Sequence, residues 1–236
     1  KAPQVIHEIN ASDGIELKGI LTHFAEPSNE EFSRLQRNRF QKIVQECLPS
    51  TLSSDFIIHA DNSSSLKIME KNSVFNAVRI GLLQFGVTPP INSALSHIPV
   101  EPVLSFHAKL ALVKELPAQT TLSYGRIHTL DRPSRIGIIS AGYGDAIPLH
   151  CGNQASALIR GKSYPLVGRV TMDQTLIDLT DGPDNLANGE VVTLIGEQGG
   201  SSIPLETLAL HGKTIPWELL CSITKRVPRI YLTKRE

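Results

Sequence analysis

The sequence has no excess of either charge, few cysteines and no long hydrophobic run. Its 23 Lys and Arg residues balance 23 Asp and Glu residues, which argues against a nucleic-acid or anionic-membrane surface. No apolar run reaches the roughly 18 residues of a membrane span, and we expect no signal peptide. The three cysteines, Cys47, Cys151 and Cys221, are odd in number and far apart. They fit neither a disulfide framework nor a metal site, so a reducing cytosol is expected.

The first part of the chain alternates strand and helix patterns. Residues 16–24, 55–60 and 75–85 are predicted strands, the second of them continuously apolar and buried. Between the first two, Ser28-Asn-Glu-Glu31 has the form of a helix capping box. An apolar stripe at helical spacing follows it, made of Phe32, Leu35, Phe40, Ile43 and Val44. Strands alternating with helices predict a parallel sheet or a barrel.

Beyond the prolines of residues 87–102 the pattern changes to many short β-like runs. They are punctuated by Gly, Pro, Asn and Asp, which predicts an all-β, barrel-like domain. The runs are 103–113, 120–129, 136–140, 157–160, 166–170, 176–179 and 191–195, and one helix is predicted from Pro204. We therefore expect two domains, residues 1–95 and 96–236.

Two polar groups follow the predicted strands of the first domain. Asn62 and Ser63 come after the buried strand, where hydroxyls and free N–H groups at a helix start suit a phosphate. A Ser-rich N-cap in a turn is the commoner explanation for such residues. Arg79, followed by Gly81 and Leu82, is a cation inside an apolar strand and needs a partner there. A structural ion pair is the commoner explanation for such a residue.

Three features of the β domain also carry possible chemistry. Tyr124, before a glycine, is either a packed aromatic with a satisfied hydroxyl or an acid–base group. Tyr143 lies in a Gly-rich turn. The run Val167–Asp178 alternates apolar and polar residues like one half-buried strand, yet contains Met172 and Asp173. Each of these signals is weak alone.

Together, the segments occur in the order and spacing of the alanine racemases. The resemblance is carried by LKGILTHFA, HADNSSS, FNAVRIGLLQFG, LSYGRIH, SAGYGDAIP, VGRVTMDQTLID, GEVVTLIG and LLCSITKRVPRIY. It covers nearly the whole chain. It implies the last three strands of a (β/α)8 TIM-type barrel followed by a C-terminal β domain.

The resemblance also implies a reaction. It implies an isomerase that interconverts L- and D-alanine by two-base proton transfer on a pyridoxal phosphate aldimine, to supply bacterial peptidoglycan precursors. One base is a lysine on the first barrel strand, and the other is a tyrosine from the second subunit of a homodimer. Tyr124 matches that tyrosine. Arg79 matches the residue beside the pyridine nitrogen, where a permanent cation disfavours protonation of the ring.

The remaining roles come from the same resemblance. The phosphate ligands match Ser63, preceded by Asn62, and the backbone at Gly81 and Leu82. Met172 matches a residue whose backbone N–H meets the substrate carboxylate. Asp173 and Tyr143 match residues at the entrance of the site.

The sequence departs from the family in several places. Trp217 stands where a phosphate-binding tyrosine is usual, Ala146 replaces a glycine, and Asp61 stands where a small residue is common. No K-x-x-A-Y-G-H-G segment occurs, so we expect this chain to lack the cofactor lysine. With its Lys1-Ala-Pro start, this predicts a cut chain or a companion polypeptide. A non-catalytic dimerisation or regulatory module, or a racemase of another small amino acid such as serine, stays open.

Overall fold

The computed structural model describes residues 1–49, 52–65, 73–87 and 99–232. The chain divides into two compact units, Lys1–Glu101 and Pro102–Glu236, which we describe separately. The boundary predicted between residues 95 and 96 lies outside the described residues and stays a prediction. None of the described helices is both long and apolar enough to span a bilayer.

The first unit is built around a parallel three-stranded sheet. Its elements are α1 (Ala2–Asn10), β1 (Gly19–Leu21), α2 (Glu30–Cys47), β2 (Ile57–Asn62) and β3 (Ala77–Arg79), followed by a 3-10 helix at Leu82–Phe85. The strand order is β1-β2-β3, and both pairings are parallel. The predicted parallel arrangement is confirmed. The predicted strand over residues 75–85 is wrong beyond Arg79, because the chain turns into the 3-10 helix there.

Helix α2 covers one face of this sheet, but not with the face that its apolar residues suggest. Its N-cap is Asn29, whose side chain accepts from the Phe32 amide, so the prediction that Ser28 begins the capping box is wrong. Phe32 and Leu35 of the predicted stripe are exposed. The buried residues of the helix are Ser33, Arg37, Phe40 and Val44. The last two join Phe24, Phe56, Ile58 and Ala60 in the core.

The second unit contains a closed antiparallel β-barrel. Its strands are β4 (Phe106–Leu116), β5 (Thr121–Leu122), β6 (His128–Thr129), β7 (Ser134–Ile139), β8 (Ser156–Ile159), β9 (Lys162–Val167), β10 (Thr175–Asp178), β11 (Val191–Gln198) and β12 (Ser201–Ile203). The main sheet has the order β12-β11-β4-β7-β10-β9-β8, and β8 pairs again with β11. That last pairing closes a ring of six strands, so the barrel-like prediction is confirmed.

The barrel interior is apolar, and two short helices follow the last strand. Leu110, Ile139, Ile159, Ile177 and Leu194 are completely buried. The helices are α3 (Leu205–His211), as predicted from Pro204, and α4 (Pro216–Ser222).

The run Val167–Asp178 is a hairpin, which agrees with the separate β-like runs predicted at 166–170 and 176–179 but not with the single strand that its alternation suggests. Val167 ends β9, Thr175 begins β10, and Leu176 pairs with Val167 across the two strands. Gly168, at a φ of 71°, takes the chain out of β9 in the left-handed region that glycine permits. Met172 and Asp173 therefore lie at the tip of a loop.

Candidate active site

Five of the predicted site residues lie together at one edge of the parallel sheet. Asn62 ends β2 and Ser63 follows it, while Arg79 ends β3 and Gly81 and Leu82 follow that strand. The carboxyl ends of parallel strands meet at the same edge, where ligands of α/β folds commonly bind. Asn62 pairs with Arg79 in the register of the sheet. We call these five residues the sheet cluster.

The loop after β2 is held by its own side chains. The Asn62 carboxamide oxygen accepts from the amides of Ser64 at 3.0 Å and Ser65 at 3.2 Å. The Asn62 amide donates to the Ser65 hydroxyl at 2.9 Å. Asn62 therefore caps the turn, in agreement with the N-cap explanation of this segment.

Ser63 links the two strand ends. Its hydroxyl oxygen accepts from the Gly81 amide at 3.0 Å, and the side chain is nearly buried. A Cβ added to Gly81 would meet no atom of the described residues within 4 Å, so the backbone faces open space in this part of the structure. The Gly81 N–H is used in this bond, whereas the Ser63 hydroxyl hydrogen is not, and beside open space it can be donated to an anion such as a phosphate.

Arg79 is held by neutral groups. Its guanidinium donates to the carbonyls of Thr22 at 3.0 Å and Ala60 at 3.1 Å. It also contacts the Nδ1 atoms of His59 at 2.5 Å and His23 at 3.0 Å. Among the described residues no carboxylate forms an ion pair with it, so the structural ion pair considered from the sequence is not found. Its charge is left available to a ligand.

His59 and His23 were not singled out by sequence reasoning. Burial, and then the charge of Arg79, lower the pKa of His59 below 6.5, which favours the neutral ring that can accept from the guanidinium. A usable signal was present. His59 lies in an apolar strand, where a polar side chain needs a partner.

Four more predicted residues surround a cleft on the β-barrel unit. Tyr124, Tyr143, Met172 and Asp173 line an open cleft of about 390 Å³, together with Thr171 and Gln174. Tyr124 is 72% exposed and Met172 is 51% exposed. Exposed aromatic and thioether groups gathered at one place are typical of a surface that meets a ligand or partner. We call these four residues the barrel cluster.

Two loops of this cleft are joined through their backbones. The amides of Tyr143 and Gly144 each donate at 2.9 Å, to the carbonyls of Thr171 and Met172. A Cβ on Gly142 would lie 2.1 Å from the Thr171 carbonyl oxygen, so only glycine permits this approach.

Tyr124 lies on a strained turn and not in the strand that was predicted around it. It begins a 3-10 turn between β5 and β6. Ser123, Gly125 and Arg126 have φ values of 61°, 75° and 53°, in the left-handed region that is costly for residues other than glycine. The Ser123 hydroxyl donates to the Arg169 carbonyl at 2.7 Å and ties the turn to the hairpin loop. The surrounding fold thus holds Tyr124 at the cleft.

Trp217 lies apart from the barrel cluster. It is on α4, is 38% exposed and does not line the cleft. Over the part of the chain that the structure describes, no group of three or more His, Cys, Asp or Glu side chains could hold a metal ion.

Comparison with known proteins places both units in one family. Residues 1–89 match the sequence model of the alanine racemase N-terminal domain, and residues 103–231 match that of the alanine racemase C-terminal domain.

Individual relatives agree with the family models. The chain is 35% identical over 237 residues to alanine racemase 2 of Caldanaerobacter subterraneus subsp. tengcongensis, covering 100% of this chain and 60% of the relative. It is 38% identical over 231 residues to the alanine racemase of Chlorobaculum tepidum, covering 98% and 58%. The chain thus spans about 60% of the length of these relatives.

A solved structure extends the agreement to the fold. The alanine racemase of Bartonella henselae, described with covalently bound pyridoxal phosphate, is similar at a TM-score of 0.83 and 27% identity. The match covers 98% of this chain and 61% of that one. The predicted fold class, the last strands of a TIM-type barrel followed by a β domain, is confirmed.

Proposed function

Because this chain belongs to the alanine racemase family, we propose that it acts in the interconversion of L- and D-alanine with pyridoxal phosphate as cofactor. The observation that carries the proposal is the sheet cluster, where Ser63 bonds to Gly81 beside open space and Arg79 has no carboxylate partner among the described residues. The named relatives are alanine racemases, and one of them binds pyridoxal phosphate covalently. D-alanine made in this way would supply peptidoglycan precursors in a bacterial cytoplasm.

The sheet cluster would hold the cofactor. We assign the phosphate to the Ser63 hydroxyl and the backbone at Gly81 and Leu82, in a loop that Asn62 shapes. We assign Arg79 to the pyridine nitrogen, where a guanidinium that stays protonated disfavours protonation of the ring. Bound pyridoxal phosphate would supply the electron sink that makes the α-proton of alanine removable. Trp217, in place of a usual tyrosine, could donate to the phosphate through its indole N–H.

The barrel cluster would supply the proton-transfer half. Inversion at the α-carbon needs one base on each face, and we assign one of them to the Tyr124 hydroxyl. The strained turn around Tyr124 would fix where that hydroxyl is presented. We assign the Met172 amide to the substrate carboxylate, and Asp173 and Tyr143 to the entrance. We further propose a homodimer in which each Tyr124 serves the cofactor bound by the partner subunit.

The second base would be a lysine that these 236 residues do not contain. We propose this because no lysine of the chain lies in a segment resembling the family's lysine motif. Incubation with pyridoxal phosphate, borohydride reduction and peptide mapping test it. We expect no lysine to be labelled stoichiometrically, and one fully labelled lysine would overturn this part of the proposal.

The role of Tyr124 is tested with Tyr124→Phe in the complete enzyme. Loss of the hydroxyl should slow racemisation by about 10²–10⁴-fold, the usual contribution of a positioned acid or base. Exchange of the α-proton with deuterated water should survive for one enantiomer and fail for the other, because one face keeps its base. Tyr231→Phe, at an exposed tyrosine outside the cleft, is the matched control. Undiminished racemisation in both directions by Tyr124→Phe would refute the assignment.

A further inference from the structure

The first unit contains a completely buried arginine on the inner face of α2. Arg37 is 0% exposed, and its guanidinium carbon lies 5.3 Å and 5.1 Å from the ring centres of Phe24 and Phe75. It forms an ion pair with Asp61, which is 1% exposed. The guanidinium atoms Nε and Nη1 have no hydrogen-bond partner among the described residues. A buried pair of this kind costs more desolvation than it usually returns in attraction, so its presence calls for an explanation.

Asp61 connects this arginine to the sheet cluster. It directly precedes Asn62, and its Oδ1 is one of two acceptors that lie 3.3 Å from the Ser65 hydroxyl, the other being the Asn62 carbonyl. The same hydroxyl oxygen accepts from the Asn62 amide at 2.9 Å. A continuous path of contacts therefore runs from Arg37 through Asp61 and Ser65 to the backbone of the loop to which we assign the phosphate.

A lone carboxylate at Asp61 would oppose that assignment. A buried negative charge beneath the loop that would hold a phosphate repels it, because the interior screens charge poorly. Arg37 cancels this charge while leaving the Asp61 oxygen able to accept from Ser65. The pair thus combines a neutral net charge with a fixed hydrogen-bond acceptor under the loop.

We propose that Arg37 and Asp61 are positioning residues for the cofactor phosphate: Asp61 fixes the Asn62–Ser65 loop through Ser65, and Arg37 removes the repulsion that Asp61 would otherwise exert. This inference rests on the proposed function, which assigns the phosphate to this loop. A pair that only stabilised the fold would affect every ligand alike. The two explanations therefore differ in what they predict for the phosphate alone.

The probes are pyridoxine phosphate and pyridoxine, which differ only in the phosphate. Neither has an aldehyde, so their binding does not depend on a lysine. Equilibrium dialysis of each probe against the whole chain gives two dissociation constants. The ratio used below is that of pyridoxine divided by that of pyridoxine phosphate, so it falls when the phosphate ester binds more weakly. General destabilisation weakens both ligands and leaves the ratio unchanged, whereas a disturbed phosphate loop lowers it.

Arg37→Met leaves the buried carboxylate unpaired, and we expect it to lower the ratio by at least about tenfold. Adding Asp61→Asn to that variant removes the charge but keeps the acceptor oxygen, and should restore most of the ratio. Packing lost with the arginine side chain would not be restored in this way. Arg39→Met, at an exposed position of the same helix, is the matched control and should keep the wild-type ratio.

Ser65→Ala provides a second measurement, because it breaks the path to the loop and leaves the ion pair intact. It should lower the ratio severalfold, and it keeps the inference testable if Arg37→Met does not fold. An unchanged ratio in Ser65→Ala, or no recovery on adding Asp61→Asn, would overturn the inference while the proposed function stands. A wild-type chain that binds both probes equally would instead refute the phosphate assignment itself.

Discussion

Arg226 donates from Nε to Asp145 at 2.7 Å, although the two residues are 81 positions apart in the sequence. The Nη2 atom of the same guanidinium donates to Asp173 Oδ1. Asp145 ends the turn that contains Tyr143, and Asp173 lies in the hairpin loop. One side chain near the end of the chain therefore joins the two loops that line the barrel cleft, and Arg226 belongs to the site although the sequence did not single it out.

Replacing Arg226 with leucine should loosen the cleft without unfolding the barrel. Both ion pairs of Arg226 are partly exposed and screened by solvent, so their contribution to the free energy of unfolding should be small. The amides of Tyr143 and Gly144 should exchange faster, since they donate to carbonyls of the hairpin loop and these bonds depend on the two loops staying together. Hydrogen-exchange mass spectrometry of peptides covering residues 141–146 measures this.

Arg132→Leu is the control for that experiment. Arg132 donates from one guanidinium nitrogen to both carboxylate oxygens of Asp181 on the surface of the same unit, and it does not line the cleft. Its loss should leave exchange in residues 141–146 unchanged. Equal protection in wild type and Arg226→Leu would show that the backbone bonds alone hold the loops.

The sequence predicted the element types well where burial alone decides them. The β-barrel and the parallel strands follow from local apolar periodicity. The buried face of α2 does not follow from apolar periodicity, because it includes Arg37, whose partner Asp61 is 24 residues away. Barrel closure likewise depends on the pairing of Val192 with Ile159, which leaves no local pattern.

The prediction of a single strand over Val167–Asp178 was wrong for a different reason. Its residues continue the strand-like alternation through the loop, because Met172 and Asp173 line the cleft and do not pack in the core. The same alternating pattern therefore covers both the partly buried strands β9 and β10 and the exposed loop between them. The family resemblance located these residues, whereas periodicity alone misassigned them.

Gly81→Ala should weaken binding of the phosphate ester while leaving the stability of the fold nearly unchanged. The added Cβ meets no atom of the described residues within 4 Å, so no steric clash is expected and the change in the free energy of unfolding should be small. The methyl group would occupy the open space assigned to the phosphate. Pyridoxine phosphate should bind severalfold more weakly, and pyridoxine much less so. Unchanged binding of pyridoxine phosphate, measured by dialysis, would show that the phosphate does not bind at the Gly81 backbone.

Gly137→Ala should instead lower the stability of the β-barrel, because the glycine is tightly packed. Its Cβ would lie 2.7 Å from Leu110 Cδ1, 2.8 Å from Ile177 Cγ2 and 2.9 Å from Leu179 Cδ1 inside the barrel. Overpacking of this kind costs about 1–3 kcal/mol. Urea unfolding monitored by Trp217, the single tryptophan and a residue of the same unit, measures the loss. Adding Leu110→Val removes the closest atom and should recover part of it, and a wild-type midpoint in Gly137→Ala alone would contradict the packing argument.

His59 should make the first unit less stable in mild acid. Its pKa in the folded chain is lowered below 6.5 by burial and by Arg79, so the unfolded chain binds more protons as the pH falls. The stability contribution of the neutral ring is complete above pH 6.5 and is lost progressively as the pH falls below that value. Urea midpoints from far-ultraviolet circular dichroism should therefore decrease between about pH 7.5 and 5.5. His59→Gln should flatten this dependence, whereas His150→Gln, at an exposed histidine of the other unit, should not. An equally steep decrease in His59→Gln would mean that other groups, and not His59, account for the loss of stability in acid.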